Sequence, residues 1–313
     1  MKTYDFDSSH SIFLKEIWDR FLRQEYISQE HINILAREGF GISIKSCGEI
    51  SNMFQKYGIQ IETRNQKYRC VDALFESEIL SMLSGKNVFY TPTCESTNII
   101  CRNFAVDPKS FIDVVATGYQ TSGRGRLDRN WYSNPNENLL FSMIIRPNIS
   151  AHLAPRCTLI WAAAVAKELD FLVKWPNDIF SKEGRKIGGI LCEASFESNQ
   201  VSHLIVGIGI NVHQTDFPPD TVASSLQREW NTKQISRTLI LARLIRSIFE
   251  CDVLQNMNIH KERSFVLGKM IRVGEMQGVA EEIYEDGTLI ISGKPIYTGD
   301  VQVLNEIHCE DKN

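Results

Sequence analysis

The chain has 313 residues and a formal net charge of −4, with 43% hydrophobic and 23% charged residues. This balance is typical of an ordinary globular protein and leaves room for two or three domains. The negative charge excludes a protein that attracts nucleic acid or anionic membrane over its whole surface, so any basic surface must be local. The eight cysteines include no C-x-x-C pair and the seven histidines form no cluster, which argues against a zinc site.

The sequence carries no recognisable targeting or membrane signal. Residues 1–10 lack the basic start and apolar stretch of a signal peptide. The longest apolar runs, such as residues 139–145, are far shorter than the roughly 20 residues that cross a bilayer as a helix. We therefore expect a cytoplasmic protein with reduced thiols.

The first 85 residues are predicted to be mainly helical and to end in a β-hairpin. Apolar residues recur at helical spacing over residues 12–22. A second helix is predicted from an N-cap at Ser28 to just before Gly39, and a third over residues 44–57, before Gly58. Residues 59–71 alternate around a polar turn near Asn65, which predicts two short strands. Three helices followed by a hairpin is the order of a winged helix-turn-helix.

Strands and helices alternate between about residues 86 and 264, which predicts a mixed α/β domain. The predicted strands are residues 88–90, 111–117, 139–145, 172–175, 187–196 and 203–212. The predicted helices are residues 96–104, 154–169 and 236–257. Short loops rich in glycine or polar residues connect several of the apolar strands.

From residue 265 the pattern changes to short strands and turns. The predicted strands are residues 269–273, 277–284, 288–291 and 301–304, and Asp286-Gly287 is a tight-turn signal. A small β-barrel fits this length.

The segment from Gln120 to Trp131, QTSGRGRLDRNW, combines two glycines with three arginines. Glycine lets backbone N–H groups approach an anion closely, and arginine supplies charge for phosphate oxygens. A solvated surface loop with scattered charge would have the same composition.

Two further segments place charged groups beside apolar strands. In KWPND, residues 174–178, Asp178 next to a lysine suits a magnesium ion held against a nucleotide phosphate, or a simple turn cap. In RKIGGIL, residues 185–191, the paired glycines indicate a bulge or a close approach to the backbone. Lys186 could there neutralise a carboxylate or phosphate, or be a solvated lysine on an edge strand.

The last two segments suit a flat ligand with polar edges. In VGIGIN, residues 206–211, alternating glycines on a buried strand leave a slot, or allow tight packing, but lack the third glycine of a dinucleotide fingerprint. In ESTN, residues 95–98, Ser96 caps a helix, or Ser96 and Thr97 face a small neutral polar ligand. The functional interpretation depends on all five segments occurring in one order within one domain.

These segments, in this order, resemble the biotin–protein ligase family in its bacterial bifunctional form, with ligase and biotin-operon repressor in one chain. The resemblance implies an α+β protein. Its expected domains are a winged helix-turn-helix at residues 1–85, a mixed-sheet catalytic domain at 86–264, similar to that of class II aminoacyl-tRNA synthetases, and a small C-terminal β-barrel at 265–313.

The resemblance also implies the reaction and its partners. The expected enzyme uses ATP and Mg²⁺ to convert biotin to biotinyl-5′-AMP and transfers biotin to a lysine of the biotin carboxyl carrier protein of acetyl-CoA carboxylase. A homodimer is expected, with operator DNA as a further partner, biotinyl-AMP as corepressor and no membrane partner.

The resemblance assigns roles to matching positions, with Arg126 and Lys186 as the catalytic residues and Asp178 as a magnesium ligand. The family commonly has a glycine where this chain has Asp128, which adds negative charge beside the phosphate cradle and restricts the backbone. The expected biotin contacts are Ser96, Thr97, Asn98, Gln120, Arg124, Gly125, Arg126, Lys186, Gly189, Leu191, Gly207 and Gly209. The expected ATP and adenylate contacts are Arg124, Arg126, Arg129, Trp131, Lys174, Asn177 and Asn211.

The charge of residues 1–85 does not favour DNA strongly, since ten basic side chains stand against twelve acidic ones. The expected DNA contacts are Lys45 in the candidate recognition helix and Arg64 and Lys67 in the hairpin. A helical scaffold without DNA binding is the alternative to a repressor. The lipoate-attaching enzymes, which share the fold and the adenylation chemistry, are the alternative for the substrate, although the full Gly/Arg loop and the barrel argue against them.

Overall fold

The computed structural model describes residues 17, 20, 23, 25–40, 51–52, 54–55, 58–219, 221–252 and 257–304. The chain divides into two compact units, Met1–Lys86 with Gln234–Arg243, and Asn87–Lys233 with Leu244–Asn313. Most residues of the predicted helices 12–22 and 44–57 lie outside the described residues. Lys45, an expected DNA contact, is also outside them. Within the described part, no helix has the length and apolar character needed to cross a membrane, and no disulfide joins its cysteines.

The first unit contains a small antiparallel sheet in the order β1-β3-β2. Ser28 caps the following helix as predicted, because its hydroxyl accepts the His31 N–H at 3.1 Å. The predicted hairpin is confirmed, and its turn residues Asn65 and Gln66 both have the positive φ of a tight two-residue turn. The winged helix-turn-helix as a whole stays a prediction. The elements are β1 (Ile27–Ser28), α1 (Gln29–Phe40), β2 (Ile59–Arg64), β3 (Lys67–Ala73) and α2 (Ser77–Ser84).

The second unit is built on a seven-stranded sheet in the order β4-β5-β6-β10-β9-β8-β7. Strands β4 and β5 run parallel and the other neighbours antiparallel, so the predicted mixed sheet is confirmed. The strands are β4 (Val88–Cys94), β5 (Val114–Gln120), β6 (Asn138–Ile145), β7 (Leu172–Lys174), β8 (Asp178–Phe180), β9 (Lys186–Glu197) and β10 (Gln200–Asn211). The helices are α3 (Thr97–Val106), α4 (Ala154–Leu169), α5 (Leu226–Glu229) and α7 (Met257–Glu262), and α6 (Arg237–Phe249) begins in the first unit and ends in the second.

The sequence did not predict β1, α2 or α5, nor a strand over residues 294–296, and two further elements differ from its prediction. Strand β8 was not predicted, because three residues are too few to show an alternating pattern. The single helix predicted over residues 236–257 is instead α6 and α7. The Cys251 N–H bonds to the carbonyl of Ile248, three residues back, and this tightened turn ends α6.

The C-terminal strands form a five-stranded sheet in the order β14-β13-β12-β11-β15. In the described pairings β14 and β15 lie at the two edges, so the predicted barrel is not confirmed. The sheet packs on the seven-stranded part of the same unit, where Trp175 donates its indole N–H to the Gly287 carbonyl at 2.9 Å. The strands are β11 (Met270–Val273), β12 (Met276–Ile283), β13 (Leu289–Ile291), β14 (Lys294–Ile296) and β15 (Val301–Val303).

Candidate functional site

One row of cross-strand neighbours brings three of the five sequence segments together. Leu140 on β6 pairs with Gly209 on β10, Gly209 with Gly189 on β9, Gly189 with Asp178 on β8, and Asp178 with Lys174 on β7. Directly paired residues on neighbouring strands point to the same face of a sheet. On this face Gly209 and Gly189 form a flat surface, here called the glycine floor, and Asp178 and Lys174 lie at its end.

The polar end of this face is a buried hydrogen-bond network around Gln120. Strands β4 and β5 are parallel, so the helix that follows β4 begins beside the end of β5. There the Gln120 side-chain carbonyl accepts the backbone N–H of Thr97 at 2.8 Å and its hydroxyl at 3.0 Å. Ser96 is the N-cap residue by position, although its side chain makes no cap hydrogen bond. This leaves the Ser96 hydroxyl available to a ligand.

Ser142 extends the network and was missed by the sequence prediction. Its fully buried hydroxyl lies 2.6 Å from both Thr97 Oγ1 and Asn98 Oδ1. The available signal was that Ser142 is the one hydroxyl in the apolar strand LLFSMII. In the described structure the buried amide Nδ2 of Asn98 has no hydrogen-bond partner. A buried donor without a partner is costly, so this end of the face suits a neutral ligand with an acceptor oxygen.

Gly207 is required by the same network. A Cβ at this position would overlap the side-chain amide of Asn98, with all three of its nearest contacts being amide atoms. The glycine therefore keeps the amide close against the sheet. Tight packing, one of the two alternatives for this strand, therefore applies to Gly207, and ligand binding there stays a prediction.

The segment of residues 120–131, here called the binding loop, folds into a short hairpin. Arg124 and Asn130 form an antiparallel bridge, and the Gly125 N–H bonds to the Arg129 carbonyl at 2.7 Å. At its tip Leu127 and Asp128 both have left-handed backbone conformations, with φ of 55° and 54°. A left-handed backbone at position 128 favours the glycine that the family commonly has there. Aspartate is among the other residues that best tolerate this conformation.

Trp131, at the end of the binding loop, covers the glycine floor. A Cβ at Gly209 would lie 2.5 Å from Cε2 of this indole, and one at Gly189 would lie 3.5 Å from Cζ3. The indole N–H is buried without a hydrogen-bond partner in the described residues, and the Lys186 ammonium lies 5.7 Å from the ring centroid. The ring can therefore stack on a flat ligand group or give way to one.

Positive charge is concentrated at the other end of the face, around Asp178. Lys186 Nζ lies 2.7 Å from Asp178 Oδ1, and Arg126 donates to Asn177 Oδ1 at 3.0 Å. Burial lowers the pKa of Lys174, whose ammonium is further disfavoured by nearby Lys186 and favoured by Asp178. Cations held in a partly buried cleft attract a polyanion more strongly than they would in open water.

The C-terminal sheet contributes to this end as well. Arg126 donates to Thr298 Oγ1 at 3.2 Å, and Arg129 forms an ion pair with Asp300. Asp300 and Gln302 both line the cleft. Sequence analysis missed them, because isolated polar residues near a short edge strand carry no distinctive pattern.

A wall of the cleft formed by residues 217, 218 and 221–223 was also missed by the sequence prediction. The Lys186 N–H bonds to the Val222 carbonyl, and the Lys186 carbonyl accepts the Ser224 N–H, both at 2.9 Å. Arg185, next to Lys186, makes two hydrogen bonds of 2.9 Å to Glu229, whose side chain is 7% exposed. The wall is thus fixed to the backbone of the lysine expected to act in the reaction.

These elements enclose a cleft of about 780 Å³, a volume suited to a vitamin-sized or nucleotide-sized ligand. All eighteen residues expected to contact biotin, ATP or magnesium line it, from Ser96 at the polar end to Lys174 at the cationic end. Their individual contacts stay predictions. The expected DNA contacts Arg64 and Lys67 lie elsewhere, on the hairpin of the first unit.

Comparison with known proteins agrees with this geometry. Residues 93–211 match the sequence model of the Biotin/lipoate A/B protein ligase family. The chain is 29% identical over 313 aligned residues to the bifunctional ligase/repressor BirA of Bacillus subtilis, covering 89% of this chain and 94% of that protein. The bifunctional ligase/repressor BirA of Escherichia coli is 30% identical over 189 residues, 57% of each chain.

A solved structure shares the fold. The biotin protein ligase from Aquifex aeolicus, in complex with biotin and ATP, is 26% identical, with a TM-score of 0.56, covering 70% of this chain and 99% of that one. Together with the family match over the cleft-forming segments, this shows that the chain is similar to biotin–protein ligases.

Proposed function

We propose that this ligase activates biotin with ATP to form biotinyl-5′-AMP and transfers the biotinyl group to a lysine of a biotin carboxyl carrier protein in the cytoplasm. The observation that carries the proposal is the order of groups in the cleft. A buried neutral polar network, a glycine floor and a cluster of cations follow one another across one sheet face. This order matches the ureido ring, the flat bicyclic body and the carboxylate of biotin.

The first step joins two anions. A carboxylate oxygen of biotin attacks the α-phosphorus of ATP, the bond from that phosphorus to the pyrophosphate oxygen breaks, and pyrophosphate leaves. Arg126 and Lys186 offset the repulsion and stabilise charge in the transition state. Lys186 suits this role because its ion pair with Asp178 holds the ammonium at the edge of the glycine floor.

The second step needs positioning more than new chemistry. The lysine amine of the acceptor attacks the acyl carbon of the anhydride, the bond to the AMP oxygen breaks, and the amine loses a proton to become an amide. No covalent intermediate with the enzyme is required, so the rate depends on orientation. Trp131 over the floor and the wall at residues 217, 218 and 221–223 would exclude water from the anhydride.

The residues present also fit a magnesium ion. In the described part of the chain no group of three or more metal-binding side chains gathers. Mg²⁺ needs only one or two protein carboxylates when phosphates supply the other ligands. Asp178, at the cationic end of the cleft, would hold it, and the ion would neutralise charge on the phosphates.

The test is biotin-dependent exchange of labelled pyrophosphate into ATP, followed by transfer to the purified carrier domain. Exchange with biotin and labelling of the carrier lysine would support the proposal. Exchange that depends on lipoate and not on biotin would show that lipoate is the substrate. The absence of exchange with either acid, in a protein that keeps its folded circular dichroism spectrum, would overturn the proposal.

We also propose that the chain represses its own biotin genes as a homodimer, with biotinyl-AMP as corepressor. The support is its similarity along most of its length to bifunctional ligase/repressors, together with exposed Arg64 and Lys67 on the hairpin. A gel shift with the DNA upstream of the organism's biotin-synthesis genes tests this. A shift only with biotin plus ATP would support it, whereas adenylate formation without a shift would make the first unit a scaffold.

A further inference from the structure

The outer face of the hairpin β2–β3 carries a compact set of charges. Glu62 pairs across the strands with Arg69, and Arg64 pairs with Lys67. Residues 62 and 64 lie on the same face of β2, since side chains alternate along a strand. The opposite face of β3 points inward, where Tyr68 and Cys70 are fully buried. Three cations and one carboxylate therefore share one outward face, on which Arg64 and Lys67 are exposed and Glu62 and Arg69 are half-buried.

The carboxylate of Glu62 holds two of the three cations. Its Oε1 accepts a hydrogen bond from Arg64 at 2.6 Å, and its Oε2 accepts one from Arg69 at 2.5 Å. Tyr26 donates its hydroxyl to the same Oε2 at 3.1 Å, and its ring lies 5.1 Å from the Arg69 guanidinium carbon. Both oxygens of Glu62 are thus used within the hairpin and its neighbour.

Burial acts to raise the pKa of Glu62, but the hydrogen bonds from Arg69, Tyr26 and Arg64 outweigh it and leave this pKa below its ordinary value. The carboxylate therefore stays ionised at neutral pH. Lys67 differs, because it is exposed and has no ion-pair partner among the described residues.

We propose that Glu62 competes with nucleic-acid phosphates for Arg64 and Arg69, and so limits how tightly the hairpin holds the DNA backbone. This inference rests on the proposed repressor function. A phosphate contact by either arginine must replace a short, charge-assisted bond to Glu62. Lys67 would contact phosphate without such a competitor. Because phosphate contacts carry no sequence information, limiting them raises the share of the affinity that comes from base contacts.

The test compares Glu62→Gln with Glu78→Gln in the full-length protein. Both remove one negative charge from the same unit, but Glu78 is an exposed residue of α2 and lies off the hairpin. The probe is a 40-base-pair duplex of random sequence, with the affinity measured at several salt concentrations. We expect Glu62→Gln to bind about three- to tenfold more tightly at low salt, with a salt dependence steeper by about one phosphate contact or more.

Glu78→Gln should stay within about twofold of the parent protein, because an exposed charge off the hairpin is largely screened. Unchanged or weaker binding by Glu62→Gln would overturn the inference, since it would mean that Glu62 aligns the arginines. An equal gain in both variants would overturn it too, because net charge would then be the cause.

The two proposals fail separately. If the parent protein shifts its operator with biotin plus ATP but Glu62→Gln leaves random DNA binding unchanged, only the role of Glu62 fails. If no operator shift occurs but Glu62→Gln gains affinity for random DNA, the repressor proposal fails and the competition remains. An Arg64→Gln change added to Glu62→Gln should remove part of the gain.

Discussion

The indole of Trp131 lies directly against Gly209 on the floor of the cleft. A Cβ at Gly209 would be 2.5 Å from Cε2 and 2.6 Å from Cζ2 of the ring, distances that real side chains do not adopt. The glycine and the tryptophan are therefore a matched pair, although 78 positions separate them in the sequence. Any side chain at position 209 must displace the ring from the floor.

Gly209→Ala should weaken retention of biotinyl-AMP by about tenfold, because an added methyl in a filled site costs about 1–3 kcal/mol. The rate of adenylate release after a chase with unlabelled biotin measures this. Release by Gly209→Ala at the parent rate would contradict the pairing of Trp131 with Gly209.

The segments that line the cleft could be identified from the sequence because each one combines unusual residue types. The glycines of β9 and β10 and the arginines of the binding loop stand out in any reading of the chain. Their alignment in one row depends on strand register, which no local pattern reveals. Ser142 illustrates the limit, because its importance comes from lying beneath Thr97 and Asn98 on another element.

The missed wall shows a second limit. Residues 217–223 contain prolines and polar side chains that are typical of any surface loop. They reach the cleft because Val222 and Ser224 bond to the backbone of Lys186, a contact across more than 30 positions. Helix α4, in contrast, was predicted with its observed bounds, because a 16-residue apolar helix is a local pattern.

Arg126→Ala should release biotinyl-AMP faster, by about tenfold or more. The guanidinium joins the binding loop to Asn177 at 3.0 Å and to Thr298 at 3.2 Å, and its charge faces the expected phosphate. Thr298→Val removes one hydrogen bond of Arg126 and leaves its charge, so it separates the contribution of the hydrogen bonds from that of the charge. We expect it to change release by no more than about threefold. If Arg126→Ala released the adenylate at the parent rate, the residue would have no role in retention.

Asp128→Asn should slow adenylate release by about two- to fivefold, because it removes a negative charge beside the arginines that hold the phosphate. Asparagine tolerates the left-handed backbone of this position as well as aspartate does, so the turn is kept. The gain should shrink at high salt, as expected for an exposed charge. Asp128→Gly also removes the side-chain penalty and should slow release at least as much. Faster release by Asp128→Asn would mean that the carboxylate helps the loop to close.

Glu229→Gln should lower stability at neutral pH and lose this effect in acid. Burial raises the pKa of Glu229, but the hydrogen bonds from Arg185 outweigh it and hold the pKa below its ordinary value of 4.5. A carboxyl with a depressed pKa in the folded state stabilises the protein above its unfolded pKa. That contribution is lost as the pH falls through the folded value.

Hydrogen bonds to a charged group contribute about 2 kcal/mol, so the urea-unfolding free energies of Glu229→Gln and the parent should differ by about that amount at pH 7. The difference should shrink as the pH falls below about 4.5, because the depressed pKa of Glu229 makes this contribution depend on its ionised form. Glu183→Gln is the control, because Glu183 is 57% exposed and lies 3.3 Å from the same arginine. It should change stability by less than about 0.5 kcal/mol. Since Arg185 adjoins Lys186, whose backbone bonds to Val222 and Ser224 hold the wall, Glu229→Gln should also raise the KM for biotin at pH 7. A stability difference that did not depend on pH would show that the loss comes from packing and not from the ionised pair.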